Sequence, residues 1–405
     1  MLSTLLLASV LLSIIGWIHL LGWRGGFWKS DQRLPPSPPS PAAWPRVTVL
    51  IPARNEAEGI GRTVRSLLAQ DYPGPFSIIL VDDHSTDGTA GIAEGAADGD
   101  SRLSILRGQP LPKRWTGKLW ALHQGLQKAL ETGDAEFLLL SDGDIEHDAA
   151  NLRRLVALAQ NERRDLVSLM VRLHCKSFWE RLLIPPFIFF FQKIYPFSWV
   201  NDPRRREAAA AGGCVLVRAA TLQAAGGIAA IRDQLIDDCA LASRIQQHGG
   251  VIWLGLSTKT RSLRTSPRLR DIWRMVTRTA FAQLDRSAAK LALTMVGMLV
   301  LYAAPLLALV HGVATQDGAL VILGALAWAL MAASFIPTVR LYRLPMAWSL
   351  LLPVAAFLYV LMTLDSARLH WLGRGSLWKG RHIAGDAAAE TGLQAASMTE
   401  QAGQQ

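Results

Sequence analysis

"FLLLSDGDIEHD", residues 137–148, is an apolar run that stops on two aspartates separated by one small residue. Five mostly apolar residues suit a strand in the middle of a sheet, and the carboxyl end of such a strand is where open α/β sheets place their ligands. Asp142 and Asp144 are therefore expected side by side on a rim. Two like charges held that close repel. Protonation, a basic neighbour or a divalent cation bound between them offsets the repulsion, and this stretch alone leaves all three open.

Similar strand-like runs recur along the chain, at "VTVLIP", "FSIILVDD", "LSILRG", "LVSLMV" and "CVLVR", alternating with helical patterns. That rhythm predicts an α/β fold with a mostly parallel sheet flanked by helices. Between the first two strands Ile60, Val64, Leu67 and Leu68 recur at helical spacing, and Asp71-Tyr72-Pro73-Gly74 closes the segment with turn chemistry. The unit reads as a βαβ crossover.

The chain has 405 residues, half of them apolar. Long uncharged segments account for that share. "MLSTLLLASVLLSIIGWIHLLGW" carries no Asp, Glu, Lys or Arg and is long enough to cross a hydrocarbon core of roughly 30 Å. It lacks a basic start and a small-residue cleavage site, so a retained anchor is expected rather than a signal peptide. Three late apolar blocks, Leu291 to Ala314, Ala319 to Pro337 and Met346 to Leu364, can each span or nearly so. The expected organisation is an anchor at 1–24, a proline-rich extended linker at 25–45, an α/β domain at 46–260, a basic interfacial segment at 261–290, a membrane region at 291–365, and a basic then disordered tail at 366–405. The aromatic and basic stretch 178–200 suits a membrane interface, its prolines and charges ruling out an ordinary span.

The net charge is +10, concentrated in Arg261, Arg264, Arg268, Arg270, Arg274, Arg278 and Arg286. A basic run abutting apolar spans is expected to rest on anionic lipid headgroups; nucleic acid is not expected as a partner, and a phosphorylated substrate is the remaining alternative. Cys175, Cys214 and Cys239 show neither pairing nor zinc-ligand spacing, so reduced thiols are expected. His123, His147 and His248 form no ligand set.

Chemistry-bearing residues cluster just after strands. "VLIPARNE" and "LVDDHSTDGT" should bring Arg54, Asn55, Glu56, Asp82 and Asp83 to the rim that carries Asp142 and Asp144. The plainer alternative is that Asp83, Ser85, Thr86 and Asp87 shape a turn and cap a helix. Lys118 opens a helix whose Leu119, Leu122 and Leu126 form the buried stripe, a position from which it could meet a phosphate. In "LIDDCALASRI", Asp237 and Asp238 begin a helix and could simply complement its dipole, with Leu241 and Ile245 packing below. The glycines of Ala211-Gly212-Gly213-Cys214 would allow close backbone approach to a ligand.

Taken in this order, "IPARNE", "VDDHSTDGT", "GKLWAL", "SDGD" and "DDCALASRIQQHGG" resemble the inverting family 2 glycosyltransferases, over roughly residues 46–290. Any one motif is weak; five in register are specific. With its anchor and late spans, the chain looks most like the hopene-associated (hopanoid-cluster) membrane glycosyltransferases, with ceramide glucosyltransferases as more distant relatives. The resemblance implies the GT-A nucleotide-sugar-binding fold, a nucleotide sugar such as a UDP-sugar as donor, a lipid acceptor, and Mg²⁺ or Mn²⁺ as cofactor. It implies that Asp144 binds the metal, that Asp142 contacts metal or ribose, and that Asp83 reads the uracil ring, with Pro52, Arg54, Asn55, Glu56 and Lys118 in the nucleotide-sugar pocket. Asp238 matches the catalytic base and Asp237 would orient it or the acceptor. A bacterial cell membrane location with the catalytic domain cytoplasmic follows from the resemblance and from Arg24, Lys29 and Arg33 after the anchor.

One departure matters. Processive members carry Q-x-x-R-W beyond the base, whereas this chain reads "WRMVTRTAFAQ", which favours transfer of one sugar over polymer synthesis. The last apolar block either spans or, given Pro353, re-enters. The alternatives from other classes are a nucleotidyltransferase of a membrane lipid pathway and a catalytically silent membrane scaffold. The latter is opposed by the intact Asp83, Asp144 and Asp238.

Overall fold

The computed structural model describes residues 1–133 and 135–373, together with two short paired strands, Leu377–Trp378 and Arg381–His382. Most of the tail expected at 366–405 lies outside the described residues.

An eight-stranded sheet forms the centre of the α/β domain. Its strands are β1 Val47–Ala53, β2 Phe76–Asp82, β3 Leu103–Arg107, β4 Phe137–Ser141, β5 Ile145–Glu146, β6 Leu166–Arg172, β7 Cys214–Arg218 and β8 Ile252–Ser262, in the order β3-β2-β1-β4-β7-β6-β8-β5. Pairs β1–β2, β1–β4, β2–β3 and β6–β8 are parallel. β7 runs antiparallel to both β4 and β6, and β5 antiparallel to β8. The sheet is thus mostly parallel, with β7 and the two-residue β5 as the reversed strands.

Period-two alternation explains why both faces are covered. In β1, Val47, Val49 and Ile51 point to one side and pack with Ile60, Val64 and Leu67 of helix Ile60–Leu68. Leu50 points to the other side and packs with Leu119, Leu122 and Leu126 of helix Gly117–Thr132. Leu68, the fourth residue of the expected stripe, is only partly buried. Strand β5, only two residues long, carries no clear apolar signature. β8 is apolar through Leu256, then alternates exposed and buried residues through Ser262, as an outlying strand does.

Among the described residues, four helices are long and apolar enough to cross a membrane: Leu2–Trp23, Ala288–Thr315, Gly318–Leu341 and Met346–Trp371. The second contains a π turn at Leu299–Ala303, immediately before Pro305. Proline has no N–H to give the carbonyl of Leu301, and in an apolar surrounding a bare carbonyl is costly. Trp17 Nε1 (3.0 Å) and Ser13 Oγ (3.3 Å) of the first helix donate to that carbonyl instead, which fixes how these helices dock. Pro353 lies in the first turn of helix Leu352–Trp371, where its missing donor does not matter, so it starts a helix rather than breaking one.

Helix Phe178–Ile194, with Pro185 and Pro186 inside it, is wedged between the domain and these helices. Leu182, Leu183 and Ile188 join the core beneath the sheet, while Phe189 packs among Trp17, Tyr302 and Phe335. Tyr359 Oη donates to its Leu183 carbonyl at 2.9 Å. Helix Leu269–Thr277 is tied to the last apolar helix by Trp273 Nε1, which donates to Asp365 Oδ2 at 2.8 Å.

Candidate functional site

The parallel strands β1, β2 and β4 all end at one edge, so the residues after them converge there. Because β7 is reversed, Gly212 and Gly213 before it arrive at the same edge, and Asp142 N donates to Gly213 O at 3.4 Å. The small residue between the two aspartates sits close against Glu56. A Cβ on Gly143 would lie 3.2 Å from Cγ of Glu56.

Thr116 caps the helix that brings Lys118 to this rim, its Oγ1 accepting from Leu119 N. The Lys118 ammonium stands 3.0 Å from Asp142 Oδ1 and 3.1 Å from Asp237 Oδ2. Burial works against its charge, but the carboxylates of Asp142, Asp237 and Asp238 outweigh that and hold the ammonium above the usual lysine range. Burial pushes the Asp142 carboxyl up, helped by the charges of Asp144 and Asp237 and opposed by Lys118.

Asp238 is fixed at both oxygens: Oδ2 accepts from Gly212 N and Oδ1 from Cys239 N, each at 2.8 Å. A Cβ on Gly212 would lie 3.3 Å from Lys118 Nζ and 3.4 Å from Asp238 Oδ2, so a larger residue would crowd this contact. Burial and then the charge of Asp237 push the Asp238 carboxyl up to about 6, against the opposing pull of Lys118 and the two amides. A carboxyl titrating there can take a proton near neutral pH.

Asp144 is buried, and its Oδ2 accepts from Ser262 Oγ (3.2 Å) and Arg264 Nε (3.0 Å). The same guanidinium reaches Glu56 Oε1 at 2.9 Å. Basic neighbours therefore offset the carboxylate repulsion at this rim, Lys118 on Asp142 and Arg264 on Asp144. Arg264 belongs to the basic run expected to rest on lipid headgroups, with a phosphorylated substrate as the alternative; the structure places it on the rim, because β8 continues to Ser262 and delivers the next residues there. No local pattern marks this, because "STKTRS" is polar throughout and its strand character comes from pairing with β5 and β6.

Arg54, Asn55 and Asp83 form a neighbouring ledge. Arg54 Nη1 donates to the Asp83 carbonyl at 2.6 Å and lies 3.6 Å from its buried carboxylate. Asn55 N donates to Ser85 Oγ, Thr86 N to Asn55 Oδ1, and Ala57 N to Asp87 Oδ2. The polar residues of "DDHSTDGT" thus lace two loops together as well as shaping their own turn.

A cavity of about 620 Å³ opens from this rim, of the size ligand clefts commonly have. One side is lined by Pro52, Glu56, Lys118, Asp142, Asp144 and the Asp237–Asp238 pair. An apolar part of the lining comes from Met170, Leu173, Phe187, Phe191 and Met275, and Arg274 and Arg278 also line the cavity. Phe187 and Phe191 belong to the wedged helix, whose part in the site sequence reasoning missed. Among the described residues no three His, Cys, Asp or Glu side chains converge as a metal-ligand set. Asp142 and Asp144 offer oxygens of the kind Mg²⁺ and Mn²⁺ accept, too few to complete a shell, so a cation here would need oxygens from a bound ligand.

The sequence profile described as "Glycosyl transferase family 2" matches residues 48–221. A succinoglycan biosynthesis protein, ExoU, of Rhizobium meliloti (strain 1021) is 41% identical over 61 residues, 15% of this chain and 17% of that protein. A beta-monoglucosyldiacylglycerol synthase of Nostoc sp. (strain PCC 7120 / SAG 25.82 / UTEX 2576) is 30% identical over 120 residues, 29% of this chain and 24% of that protein. The matched stretches thus span less than a quarter of either relative's length. The structure of the mannosyltransferase PcManGT from Pyrobaculum calidifontis, in complex with GDP-Man and Mn²⁺, superposes over 91% of this chain and 99% of that one, at 19% identity and a TM-score of 0.52. Residues 48–221 are thus similar to glycosyl transferase family 2, and the fold is GT-A.

Proposed function

We propose that the chain transfers one sugar from a nucleotide sugar, with UDP as leaving group, to a hydroxyl of a lipid acceptor, with inversion at the anomeric carbon. The observation that carries this is a single cavity joining a carboxylate rim to an apolar wall, with helices long enough to span a bilayer packed beside that wall. The Nostoc relative, by its name, also makes a glycolipid.

Donor placement follows from the rim. Asp83 accepts from the uracil ring, and Pro52, Arg54, Asn55 and Glu56 line the nucleotide pocket. Lys118 faces the sugar diphosphate between Asp142 and Asp237. Mg²⁺ or Mn²⁺, held by Asp144 with Asp142 and the diphosphate oxygens, would neutralise charge on the leaving group. Asp142 can serve the ribose instead.

Asp238 takes the proton from the acceptor hydroxyl as its oxygen bonds to the anomeric carbon, and the bond to the diphosphate breaks with its electron pair leaving on UDP. The amides of Gly212 and Cys239 hold the carboxylate still, while Asp237, paired with Lys118, orients the acceptor. The apolar wall suits a hopanoid or a related polyisoprenoid or sphingolipid-like lipid. The absent Q-x-x-R-W fits transfer of a single sugar. The chain is read as a multi-pass protein of the bacterial cell membrane, with its catalytic domain on the cytoplasmic side where nucleotide sugars are made.

The test is incubation of the full-length protein in lipid nanodiscs with labelled nucleotide sugars and a membrane lipid extract, followed by mass spectrometry. A lipid heavier by one sugar residue, absent with Asp144→Asn, is expected. A nucleotide-bearing lipid, or no sugar transfer from any donor, would overturn the reading.

A further inference from the structure

Arg264 holds the carboxylate of Asp144, proposed for the metal, together with that of Glu56 beside it. Its Nε lies 3.0 Å from Asp144 Oδ2, and its Nη2 lies 2.9 Å from Glu56 Oε1. The carboxylates are mostly buried, at 12% and 14% exposure, whereas the guanidinium side chain is half exposed. The backbone around it is pinned on both sides. Leu263 N donates to Asp144 O at 2.7 Å, and Ser266 N donates to Glu180 Oε1 at 2.8 Å. Arg264 can therefore leave the carboxylates by side-chain rotation alone, with the loop staying in place.

We infer that Arg264 is the resident cation of the rim, occupying the carboxylate oxygen that a divalent cation needs, so that metal enters together with the donor diphosphate rather than before it. This rests on the proposed metal-linked binding of UDP. The physical reason is charge. Glu56, Asp142, Asp144, Asp237 and Asp238 crowd one rim, with Lys118 and Arg264 as the cations paired to them. A divalent ion arriving alone meets a carboxylate already neutralised, and must either displace the guanidinium or bind beside a like charge. Arriving with a diphosphate, it brings anionic oxygens that complete its shell and give the displaced guanidinium a new bidentate partner. Arg264 is on this account a positioning residue that makes metal affinity depend on donor. It belongs to the basic run expected on lipid headgroups, yet it faces the chemistry.

Removing one positive charge within contact distance of the ion should raise metal affinity about tenfold or more. Free Mn²⁺ is followed by electron paramagnetic resonance in titrations of full-length protein in detergent, with and without UDP. The parent should bind Mn²⁺ weakly alone and much more tightly with UDP. Arg264→Gln should bind Mn²⁺ about tenfold more tightly alone and gain less from UDP, whereas Arg264→Lys, which keeps a charge, should retain the parental dependence on UDP. Unchanged thermal unfolding of both variants would separate the effect from misfolding. Parental Mn²⁺ affinity in Arg264→Gln, with Asp144→Asn abolishing binding, would overturn this inference and leave the site standing. Mn²⁺ binding that survives Asp144→Asn would instead overturn the metal assignment on which the inference rests.

Discussion

The ammonium of Lys118 lies 3.1 Å from Oδ2 of Asp237, while its other contact is Asp142 on a different strand end. One side chain thus joins the rim proposed for the donor to the helix that carries the proposed base. The two halves of the cleft are coupled electrostatically before any ligand arrives.

That coupling sets a pH prediction. Asp238 titrates at about 6 with Lys118 pulling it down, and as a base it acts only when deprotonated. Transfer should rise with pH through about 6. Replacing Lys118 by Met removes the downward pull, so the acid limb should move up by about one pH unit. Turnover should also fall, about tenfold or more, if Lys118 is the ammonium partner proposed for the diphosphate. Rates of sugar transfer between pH 5 and 8 decide this; an unshifted limb in Lys118→Met would argue that another group controls the profile.

Glu180 should be a stability determinant. It is fully buried at the start of the wedged helix and accepts from Lys176 N, Ser177 N, Ser266 N and the His174 ring. Burial raises its pKa, but these donors win and bring it down to about 2. A carboxyl depressed in this way contributes stability that is present above its ordinary value near 4.5 and is lost as pH falls towards 2. Glu180→Gln should lower stability at pH 7 by about 2–3 kcal/mol and flatten the acid limb of the unfolding curve. Thermal midpoints of parent and variant from pH 7 to pH 3 test both; equal midpoints throughout would remove Glu180 from this role.

The first apolar helix should matter for packing more than for retention. Alkaline carbonate should not extract the protein, and removal of Met1 to Trp23 should leave it membrane-bound through the three later helices. Trp17→Phe, which leaves an aromatic ring but removes both the donor to the Leu301 carbonyl and part of a buried side chain, should destabilise by about 1–3 kcal/mol. Recovery of the full chain in the soluble fraction without detergent would contradict the architecture.

Much of the fold was legible because the signals were local. The six apolar runs mark six of the eight strands, and the stripe Leu119, Leu122, Leu126 is buried as the helical spacing requires. The spacing of "SDGD" and "DDCALASRI" announced carboxylates at strand and helix ends. Less visible was whatever depends on long-range assembly. β8 turns polar halfway, so its continuation to Ser262 is decided by pairing with β5 and β6 rather than by its own pattern. Arg264 consequently looked like one more arginine before a membrane helix. The wedged helix carries two prolines and several charges, which hid that Phe187 and Phe191 wall the cavity. No sequence period records that a neighbour 120 residues away supplies the counter-charge for Asp144.

The central claim is that Asp238 removes the acceptor proton, and Asp238→Asn tests it most directly. The amide keeps the shape and can keep one backbone contact, but cannot accept the proton. With a defined lipid acceptor, single-turnover transfer should fall by about 10² to 10⁴, the usual contribution of a general base, while UDP affinity measured by calorimetry stays within about twofold of the parent. Transfer at the parental rate in Asp238→Asn would contradict the account and move the role to Asp237.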